Sequence, residues 1–540
     1  MTEARPTGEV RLAGPASTGR PPHILDLVEP RLGGRAAAVA DGTGTFSYRE
    51  LDAASRTVAR ALLARGARPD EPVVVHGTAS RRTIAALLGI LRAGCRYVPV
   101  DAGFPEDRQA LMARRSGARL VVVPEESVVA PPAGLERVDC WGPGVARSTG
   151  GAPGLPRRPN SPADADSAAR RGTHAYTCFT SGSTGLPKPV TISATSLGWS
   201  TAARLRHYAE RVGAFLLCSS ISFDSSMAGI WWTLASGGLL VVPGERPGER
   251  PGDLLAVARA AERHAATHLL MVPSLYGAAL RGGLGPRLRT LTTVIVAGES
   301  CPPALVARHL ADLPQAELYN EYGPTECAVW ATVHACTPAD ARARTVPIGR
   351  PVTGVTLHIA EATEAGGPGE LYIAGPGLAV PDADPGGDGG DTDDRDEDDH
   401  GTGRFVTLHD VRHYRTGDLV TVREDGELLF HGRADHQLKL GGLRLERAEI
   451  EHSLMSCDGI TEAGVGVSGP PRPRPVGFVV TTGAALDEQR VRAQLLRTLP
   501  TTALPARVIA VPALPRLPNG KVDHATLDRR AAAVRRGPTR

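Results

Sequence analysis

The sequence predicts an α/β fold with largely parallel sheets, followed by a small α+β domain. Up to Gly298, short apolar runs of strand length recur, and the stretches between them are mostly rich in Ala, Leu and Arg with a helical period. Strands that alternate with helices in this way favour parallel sheets covered by helices. After Asp435 the pattern restarts on a smaller scale, which indicates a second domain.

The elements follow in chain order. Buried strands are predicted at PVVVHG (Pro72–Gly77), RLVVVP (Arg119–Pro124), FLLCSS (Phe215–Ser220), LLVVP (Leu239–Pro243), HLLMVP (His268–Pro273) and TVIVAG (Thr293–Gly298). In the second domain a strand-like QLKL and a helix-like ERAEIEHSLMSC precede a strand-like GFVVTT (Gly477–Thr482).

Composition changes set the expected boundaries. We predict a flexible leader (1–22), a large domain (23–434), a small domain (435–526) and a tail (527–540). Arg147–Arg171 is rich in Pro, Gly and Ser and indicates a surface linker. Asp382–Asp399 carries ten acidic residues, too charged to pack, so a disordered loop is expected over about 381–402. A calcium site there is disfavoured, because the run lacks the glycine and closing glutamate of an EF-hand.

Bulk properties exclude several classes of function. The 540 residues carry a net charge of +3, which predicts no general attraction to nucleic acid or membranes. No apolar run reaches the roughly 18 residues of a membrane helix, and no secretory segment opens the chain, so the cytoplasm is the expected location. The eight cysteines contain no CxxC pair, which disfavours a zinc site or a disulfide framework.

Lysine marks three loops. Lys188, Lys439 and Lys521 are the only lysines beside 58 arginines among the 61 basic residues, and each lies in a recognisable loop signature. A compact ammonium enters crowded phosphate or carboxylate sites that a planar guanidinium fits less well. These lysines are therefore the first candidates for chemistry.

A glycine- and hydroxyl-rich loop precedes the first lysine. TSGSTG spans Thr180, Ser181, Gly182, Ser183, Thr184 and Gly185. Its amides and hydroxyls can donate to phosphate oxygens, although such a run is by itself more often a flexible turn. It is not a P-loop, since Lys188 does not follow glycine and precede Ser or Thr. The nearby lysine favours the phosphate-binding interpretation.

Further motifs follow in a fixed order. They are NEYGPTE (320–326), YRTGDL (414–419), GRADHQLKLGGLRLE (432–446) and LPNGKVD (517–523), with the weaker FSYREL (46–51), LRAGCRYVPVDAGFP (91–105), FDSS (223–226) and GELYIAGPGLA (369–379). Together, over roughly residues 25–525, they resemble the adenylate-forming superfamily, specifically the adenylation domains of nonribosomal peptide synthetases. Pro189, where the family usually has glycine, and Gly441 are departures, and the acidic run replaces a helix-like segment.

The resemblance implies a large N-terminal domain of layered α/β sheets with a β-barrel-like part, and a small mobile C-terminal domain with its hinge at Asp435. It implies attack of an amino-acid carboxylate on ATP, giving an aminoacyl adenylate and pyrophosphate. By motif position Lys521 bridges the carboxylate and the α-phosphate, Glu326 holds Mg²⁺, and Lys439 serves thioester formation. The implied nucleotide contacts are Thr180 to Gly185, Lys188, Asn320, Tyr322 along the adenine, Gly323, Thr325 at the α-phosphate, Asp418 on the ribose hydroxyls, and Arg433.

The family's amino-acid-activating members keep an aspartate where Asp224 stands, to pair with the substrate ammonium; a helix N-cap is the plainer role for this residue. The implied substrate pocket comprises Asp224, Ser225, Ala228, Met271, Ile295, Ala297, Glu321, Val329 and Trp330, closed by Lys521. An enclosed carboxylate needs a donor or cation, so Glu321 is expected to meet the substrate side chain. With Trp330 as a flat neighbour, the set is similar to histidine-activating pockets and favours L-histidine. The alternative is that Glu321 turns toward the nucleotide or an arginine.

The chain carries neither a carrier-domain LGG(H/D)S motif after Lys521 nor a condensation-type HHxxxD before the adenylation motifs. We therefore expect a stand-alone enzyme that loads a separate phosphopantetheinylated carrier protein, with a small MbtH-like helper as a further candidate partner. Two alternatives stay open: an acyl- or aryl-CoA ligase of the same superfamily, disfavoured by Asp224, and a non-catalytic nucleotide-binding module, disfavoured by Glu326, Asp418 and Lys521.

Overall fold

The structure is a computed structural model that describes residues 10–17, 19–124, 130–141, 171–180, 186–244, 253–360, 367–381, 404–434, 437–440, 443–468, 474–482, 486–516 and 522–534. Several predicted features lie outside the described residues: nearly all of the linker before Arg171, Ser181 to Gly185, the acidic run, Asp435, Gly441 and Lys521.

The described residues form the following strands: β1 Val10–Ala13, β2 Ala37–Asp41, β3 Gly44–Ser47, β4 Pro72–Gly77, β5 Arg96–Asp101, β6 Leu120–Val122, β7 Glu136–Val138, β8 His174–Thr180, β9 Lys188–Ser193, β10 Ala214–Leu217, β11 Leu239–Val241, β12 His268–Met271, β13 Thr293–Ala297, β14 Glu317–Tyr322, β15 Thr332–Ala335, β16 Arg350–Pro351, β17 Thr356–Ile359, β18 Gly369–Ala374, β19 Phe405–Leu408, β20 Val411–Val422, β21 Leu428–Arg433, β22 Gln437–Leu440, β23 Leu443–Glu446, β24 Ile460–Val467, β25 Pro475–Thr481 and β26 Val508–Ala510. The helices are α1 Ile24–Val28, α2 Tyr48–Ala64, α3 Arg81–Arg92, α4 Glu106–Arg115, α5 Ala194–His207, α6 Asp224–Ser236, α7 Leu254–Arg263, α8 Pro273–Arg281, α9 Pro303–Asp312, α10 Arg447–Met455, α11 Glu488–Leu495 and α12 His524–Ala533.

Two sheets of mainly parallel strands form the large domain's core. The N-terminal six-stranded sheet has the order β7-β6-β4-β5-β8-β9, and the nine-stranded sheet has the order β16-β15-β14-β13-β12-β10-β11-β2-β3. The apolar runs predicted as strands fall on β4, β6, β10, β11, β12 and β13, which confirms the α/β prediction. Pro189 lies in β9, at the end of its sheet, where a residue without an N–H is tolerated.

Helix starts follow local chemistry. Ser47 and Glu50 form a capping box at the start of α2, and Ser80 caps α3 by accepting from the Thr83 amide. The two helices approach closely at Gly89, where a Cβ would lie 2.6 Å from the Cβ of Val58.

A third, antiparallel six-stranded sheet has the order β1-β17-β18-β20-β19, with β21 on β20. Its curled strands correspond to the predicted β-barrel-like part. Val10–Ala13 pairs with β17, so the prediction of a flexible leader up to residue 22 is wrong for this segment. The reason is that the edge strand β17 offers unpaired backbone groups, which extended chain satisfies whatever its composition.

The small domain packs α10, α11 and α12 on an antiparallel-parallel sheet, β24-β25-β26, beside the hairpin β22-β23. A buried ion pair joins this domain to the large one: Arg108 of α4 donates to Glu449 of α10, and their side chains are 6% and 3% exposed. An exposed pair lies nearby, with Arg497 Nε 3.4 Å from Asp107 Oδ2.

His334 lies between two carboxylates. Its Nε2 is 3.0 Å from Asp340 and its Nδ1 is 3.2 Å from Glu427, the residue that precedes β21. Burial lowers the pKa of His334, but the hydrogen bonds to Glu427 and Asp340 raise it more, so the net pKa lies above 6.5. Through these two contacts, His334 of β15 ties the nine-stranded sheet to the loop before β21 of the antiparallel sheet.

All eight cysteines are free thiols, and seven of them are buried, as expected of small apolar residues. Within the described ranges, every helix is too short or too polar to span a lipid bilayer.

Candidate active site

A cavity of about 930 Å³ lies where the carboxyl ends of strands from the two parallel sheets meet. Crevices at such strand ends are the usual ligand sites of open α/β sheets. The predicted site residues that line it are Thr180, Asp224, Ser225, Met271, Ala297, Gly323, Thr325 and Val329. The structure therefore brings together predicted nucleotide and substrate residues from five separate stretches of the chain.

Asp224 is the first residue of α6 and lines the cavity. Phe223 occupies the N-cap position, and the helix start has no side-chain cap bond, so the alternative N-cap role for Asp224 is wrong. An anionic side chain in the first turn interacts favourably with the helix dipole. Asp224 thus lies in the first turn of α6 at the cavity, where a ligand ammonium could reach it.

Glu321 does not offer the free carboxylate that was expected. Its two oxygens accept from Arg204 Nη1 at 2.5 Å and Nη2 at 2.8 Å, and the Tyr208 hydroxyl also donates to it. Glu321 is 3% exposed and Arg204 is fully buried. The expectation that Glu321 meets the substrate side chain is therefore wrong, and the stated alternative of an arginine partner is the one observed, because α5 supplies Arg204.

Trp330 was expected to lie flat beside the substrate side chain. In the structure the Arg204 guanidinium lies over this ring, 4.2 Å from its centroid. Ala228 and Ile295, also assigned to the pocket, are buried at 5% and 0% exposure and are not among the residues that line the cavity.

The turn before Trp330 is strained. Ala328 and Val329 have φ of 52° and 84°, and the second value is unusual for a β-branched side chain. Gly323 permits this turn, since a Cβ there would lie 2.4 Å from the Trp330 Cα. Strain of this kind clusters at functional sites. The glycine of the NEYGPTE motif is thus required by close backbone packing.

Tyr322, Asp418 and Arg433 form a buried polar group. The Tyr322 hydroxyl donates to Asp418 Oδ2 at 2.5 Å, and Arg433 Nη1 donates to Asp418 Oδ1 at 2.6 Å. Burial raises the pKa of Tyr322 well above 10.0, and Asp418 raises it further, so the phenol stays protonated. Each Asp418 oxygen keeps a second lone pair for another donor. Asn320 donates to the Pro347 carbonyl at 2.7 Å.

The residues assigned to the phosphates and the metal are described in part. Thr180 pairs with Lys188 across β8 and β9. Thr325 and Glu326 begin a short 3-10 helix that lies between Gly323 and the strained turn at Ala328 and Val329. A carboxylate with hydroxyl oxygens nearby suits Mg²⁺, because this ion usually binds to one or two protein carboxylates together with substrate phosphates. Glu326, 7% exposed, therefore fits the donor chemistry of that ion.

For Lys439 the structure describes only the backbone, and for Lys521 it describes nothing. Lys439 lies in β22, paired with Arg444 of β23, while Lys521 and the hinge residue Asp435 lie outside the described residues.

Sequence reasoning missed Arg204 and Tyr208, and also the small-domain residues at the cavity, Leu496 and Leu499 to Thr502. No sequence signal marks Arg204, which looks like any helical arginine and lies 117 residues from Glu321.

Comparisons with known proteins agree with this geometry. A family model described as AMP-binding enzyme matches residues 30–380, and a model of the AMP-binding enzyme C-terminal domain matches residues 449–521. Phosphinothricin tripeptide synthetase PhsC of Streptomyces viridochromogenes is 35% identical over 503 residues, covering 89% of this chain and 42% of that protein. Isonitrile lipopeptide synthase of Mycobacterium tuberculosis is 34% identical over 509 residues, covering 91% of this chain and 18% of that protein. The chain thus spans less than half the length of these relatives.

Among solved structures, holo-PA1221, a nonribosomal peptide synthetase protein containing adenylation and carrier (PCP) domains bound to a vinylsulfonamide inhibitor, is similar with a TM-score of 0.74 and 26% identity, covering 94% of this chain and 84% of that one. The amide bond synthetase McbA of Marinactinospora thermotolerans has a TM-score of 0.76 and 25% identity, covering 94% and 99% of the two chains. The chain belongs to the AMP-binding enzymes, the adenylate-forming superfamily of ATP-dependent, AMP-forming ligases, and its relatives include the adenylation domains of nonribosomal peptide synthetases.

Proposed function

We propose that the protein activates an α-amino acid with ATP and transfers the aminoacyl group to the phosphopantetheine thiol of a separate carrier protein. The observation that carries this proposal is the shared cavity, which places Asp224 and the hydroxyls of Thr180 and Thr325 around one volume. A carboxylate for an ammonium and donors for a phosphate, in one cavity, suit an amino acid that reacts with a nucleotide.

In the first step a carboxylate oxygen of the amino acid attacks the α-phosphate, and pyrophosphate leaves. Asp224 fixes the substrate ammonium, while Thr325 donates to the α-phosphate. Thr180 to Gly185 hold the outer phosphates, with Lys188 in support, and Lys521 bridges the reacting carboxylate and phosphate. Fixed donors of this kind lower the barrier by positioning the reactants and by stabilising charge that develops in the transition state.

ATP supplies the phosphoanhydride that is broken, and Mg²⁺, held by Glu326, neutralises phosphate charge when bound. Asp418 has lone pairs left for ribose hydroxyls, because Tyr322 and Arg433 take one position on each oxygen. Their bonds hold this carboxylate in a fixed orientation. The assignments of Asn320 and Gly323 to the nucleotide remain predictions.

In the second step the thiol attacks the carbonyl of the adenylate, and AMP leaves. Lys439 is assigned to this step, and a rotation of the small domain about the hinge at Asp435 would bring this lysine to the active site. The solved relatives with adenylation and carrier domains in one chain support a carrier protein as the partner. A helper of the MbtH type and a cytoplasmic location stay predictions.

The preference for L-histidine rested on a free Glu321. Because Arg204 and Tyr208 occupy that carboxylate, an imidazole has to bind without it. L-Histidine therefore remains one of the twenty amino acids to be tested, but a free Glu321 carboxylate no longer favours it.

Amino-acid-dependent ATP–pyrophosphate exchange tests the proposal. We expect exchange with at least one of the twenty amino acids, and a loss of about 100-fold or more in Lys521→Ala if this lysine stabilises the transition state. Lys439→Ala is the matched control, because it should keep exchange and lose aminoacyl transfer to a carrier. Normal exchange in Lys521→Ala would contradict its assigned role.

Two other outcomes identify the competing functions. Formation of an acyl-CoA thioester, with no dependence on an amino group, would indicate a CoA ligase. Tight ATP binding without exchange, tested with and without a helper protein, would indicate a non-catalytic module.

A further inference from the structure

A buried ion pair lies directly behind the wall of the substrate cavity. Arg204 forms a two-point contact with Glu321, and the Tyr208 hydroxyl donates to the same carboxylate. The side chains of Arg204 and Glu321 are 1% and 2% exposed. Such a pair has no net charge, and its carboxylate has three donors.

The position of this pair follows from the strand register. Glu321 of β14 is the register partner of Ala297 of β13, so the two side chains lie on the same face of the parallel sheet. Ala297 lines the cavity, as does Val329, the residue before Trp330. The ion pair therefore lies behind Ala297 and Val329, the part of the cavity wall that would face a substrate side chain.

Around the ion pair of Arg204 and Glu321, two buried N–H groups have no hydrogen-bond acceptor among the described residues. Arg204 Nε and Trp330 Nε1 are buried and have no hydrogen-bond partner among the described residues. Burial lowers the pKa of Arg204, but Glu321 raises it more, so the guanidinium stays charged. Burial and Glu321 raise the pKa of Tyr208 well above 10.0, so its hydroxyl stays a donor.

We propose that Arg204 is a positioning residue that sets substrate specificity: by holding Glu321 it makes the cavity select amino acids with uncharged side chains over those with cationic ones. The proposal rests on the proposed function and names the substrate class of the same site. A cationic side chain would lose its hydration near a guanidinium and would find the Glu321 carboxylate already occupied. An uncharged side chain loses less hydration.

Arg204→Met tests this directly, because it removes the cationic partner of Glu321 while filling similar space. In exchange assays, wild type should use its best uncharged amino acid at least about 100-fold better in kcat/KM than lysine, arginine or protonated histidine. In Arg204→Met this ratio should fall about 10-fold or more, mainly through KM for the cationic substrates. Arg204→Lys, which keeps a cation, should restore the wild-type ratio in part.

The double variant Arg204→Met with Glu321→Gln separates specificity from stability. The Gln substitution removes the negative charge of Glu321, so the improved use of cationic amino acids seen in Arg204→Met should disappear. If Arg204 had a purely structural role, the kcat/KM ratio of uncharged to cationic substrates would be unchanged in every variant. Arg56→Met, which removes an arginine that is 55% exposed on α2, is the matched control and should leave the ratio unchanged.

If Arg204→Met does not fold, as judged by thermal unfolding, Glu321→Gln alone still tests the proposal. It leaves an uncompensated Arg204, so the discrimination against cations should increase about 10-fold and acidic or amide side chains should gain. A wild type that prefers a cationic amino acid, or an unchanged ratio in the folded variants, would overturn this inference and leave the proposed function standing. Absence of exchange with every amino acid would overturn the proposed function, and this inference with it.

Discussion

The buried ion pair between the two domains provides the sharpest test of the structure. In Arg108→Met, Glu449 stays buried against the large domain with no cation, while one of its oxygens, Oε2, already has no partner among the described residues. Removing one partner of a buried pair costs about 3–5 kcal/mol, because an uncompensated charge remains. The docked arrangement should therefore lose roughly 100-fold or more in population relative to the undocked one.

The second half of this test is a rescue. Because the pair is incompletely hydrogen-bonded, its attraction offsets little more than its desolvation, and apolar groups of similar volume can replace it at little cost. We expect Arg108→Met with Glu449→Leu to dock about as well as wild type. Arg497→Met is the matched control, since its ion pair with Asp107 crosses the same interface but is 74% and 52% exposed. It should change docking by less than about 1 kcal/mol.

Hydrogen–deuterium exchange, followed by mass spectrometry, measures docking without relying on activity. Peptides from α4 and α10 should exchange faster in Arg108→Met, whereas peptides from β12 and β13 serve as the internal standard. Unchanged protection in the single variant, or no recovery in the double variant, would refute the assignment of Arg108 and Glu449 as the main contact.

Separation of the two domains should also change the substrate site. The Arg108 guanidinium lies 5.6 Å from the Phe104 ring centroid, and Phe104 meets the ring of Phe223 edge-on at 6.3 Å, one residue before Asp224. We expect Arg108→Met to raise KM for the amino acid more than KM for ATP.

Two further predictions concern stability. Gly323→Ala should lower the unfolding temperature by the equivalent of about 1–3 kcal/mol, because the new methyl group overlaps the Trp330 backbone; Gly77→Ala, whose Cβ would only meet Pro124 at 3.5 Å, should have a much smaller effect in the same thermal scan. His334 has a pKa raised on folding, so its stabilisation is complete below the unfolded pKa and is lost as the pH rises through the folded pKa. The gap in unfolding temperature between wild type and His334→Gln should therefore shrink from about pH 6 to about pH 9, and a gap that grows with pH would contradict this sign.

Much of the fold could be predicted because strand signals are local. The run from Pro72 to Gly77 is a strand over the same residues in the structure, since a continuous apolar run bounded by glycine and proline reports a buried strand by itself. Val10–Ala13 could not be predicted, because an edge strand depends on a partner far along the chain. The helix start at Asp224 was also missed, because the backbone places Phe223, which has no capping side chain, at the N-cap position.

The sequence by itself determined the family, the order of the motifs and eight of the residues that line the cavity, because each motif encodes a local loop or strand end whose chemistry depends on its own residue types. Only the tertiary structure decided which charges meet. Arg204 reaches Glu321 across 117 residues, and Arg108 reaches Glu449 across 341. A buried carboxylate binds whichever donor the packing brings within about 3 Å, and that choice depends on helix placement and not on sequence spacing.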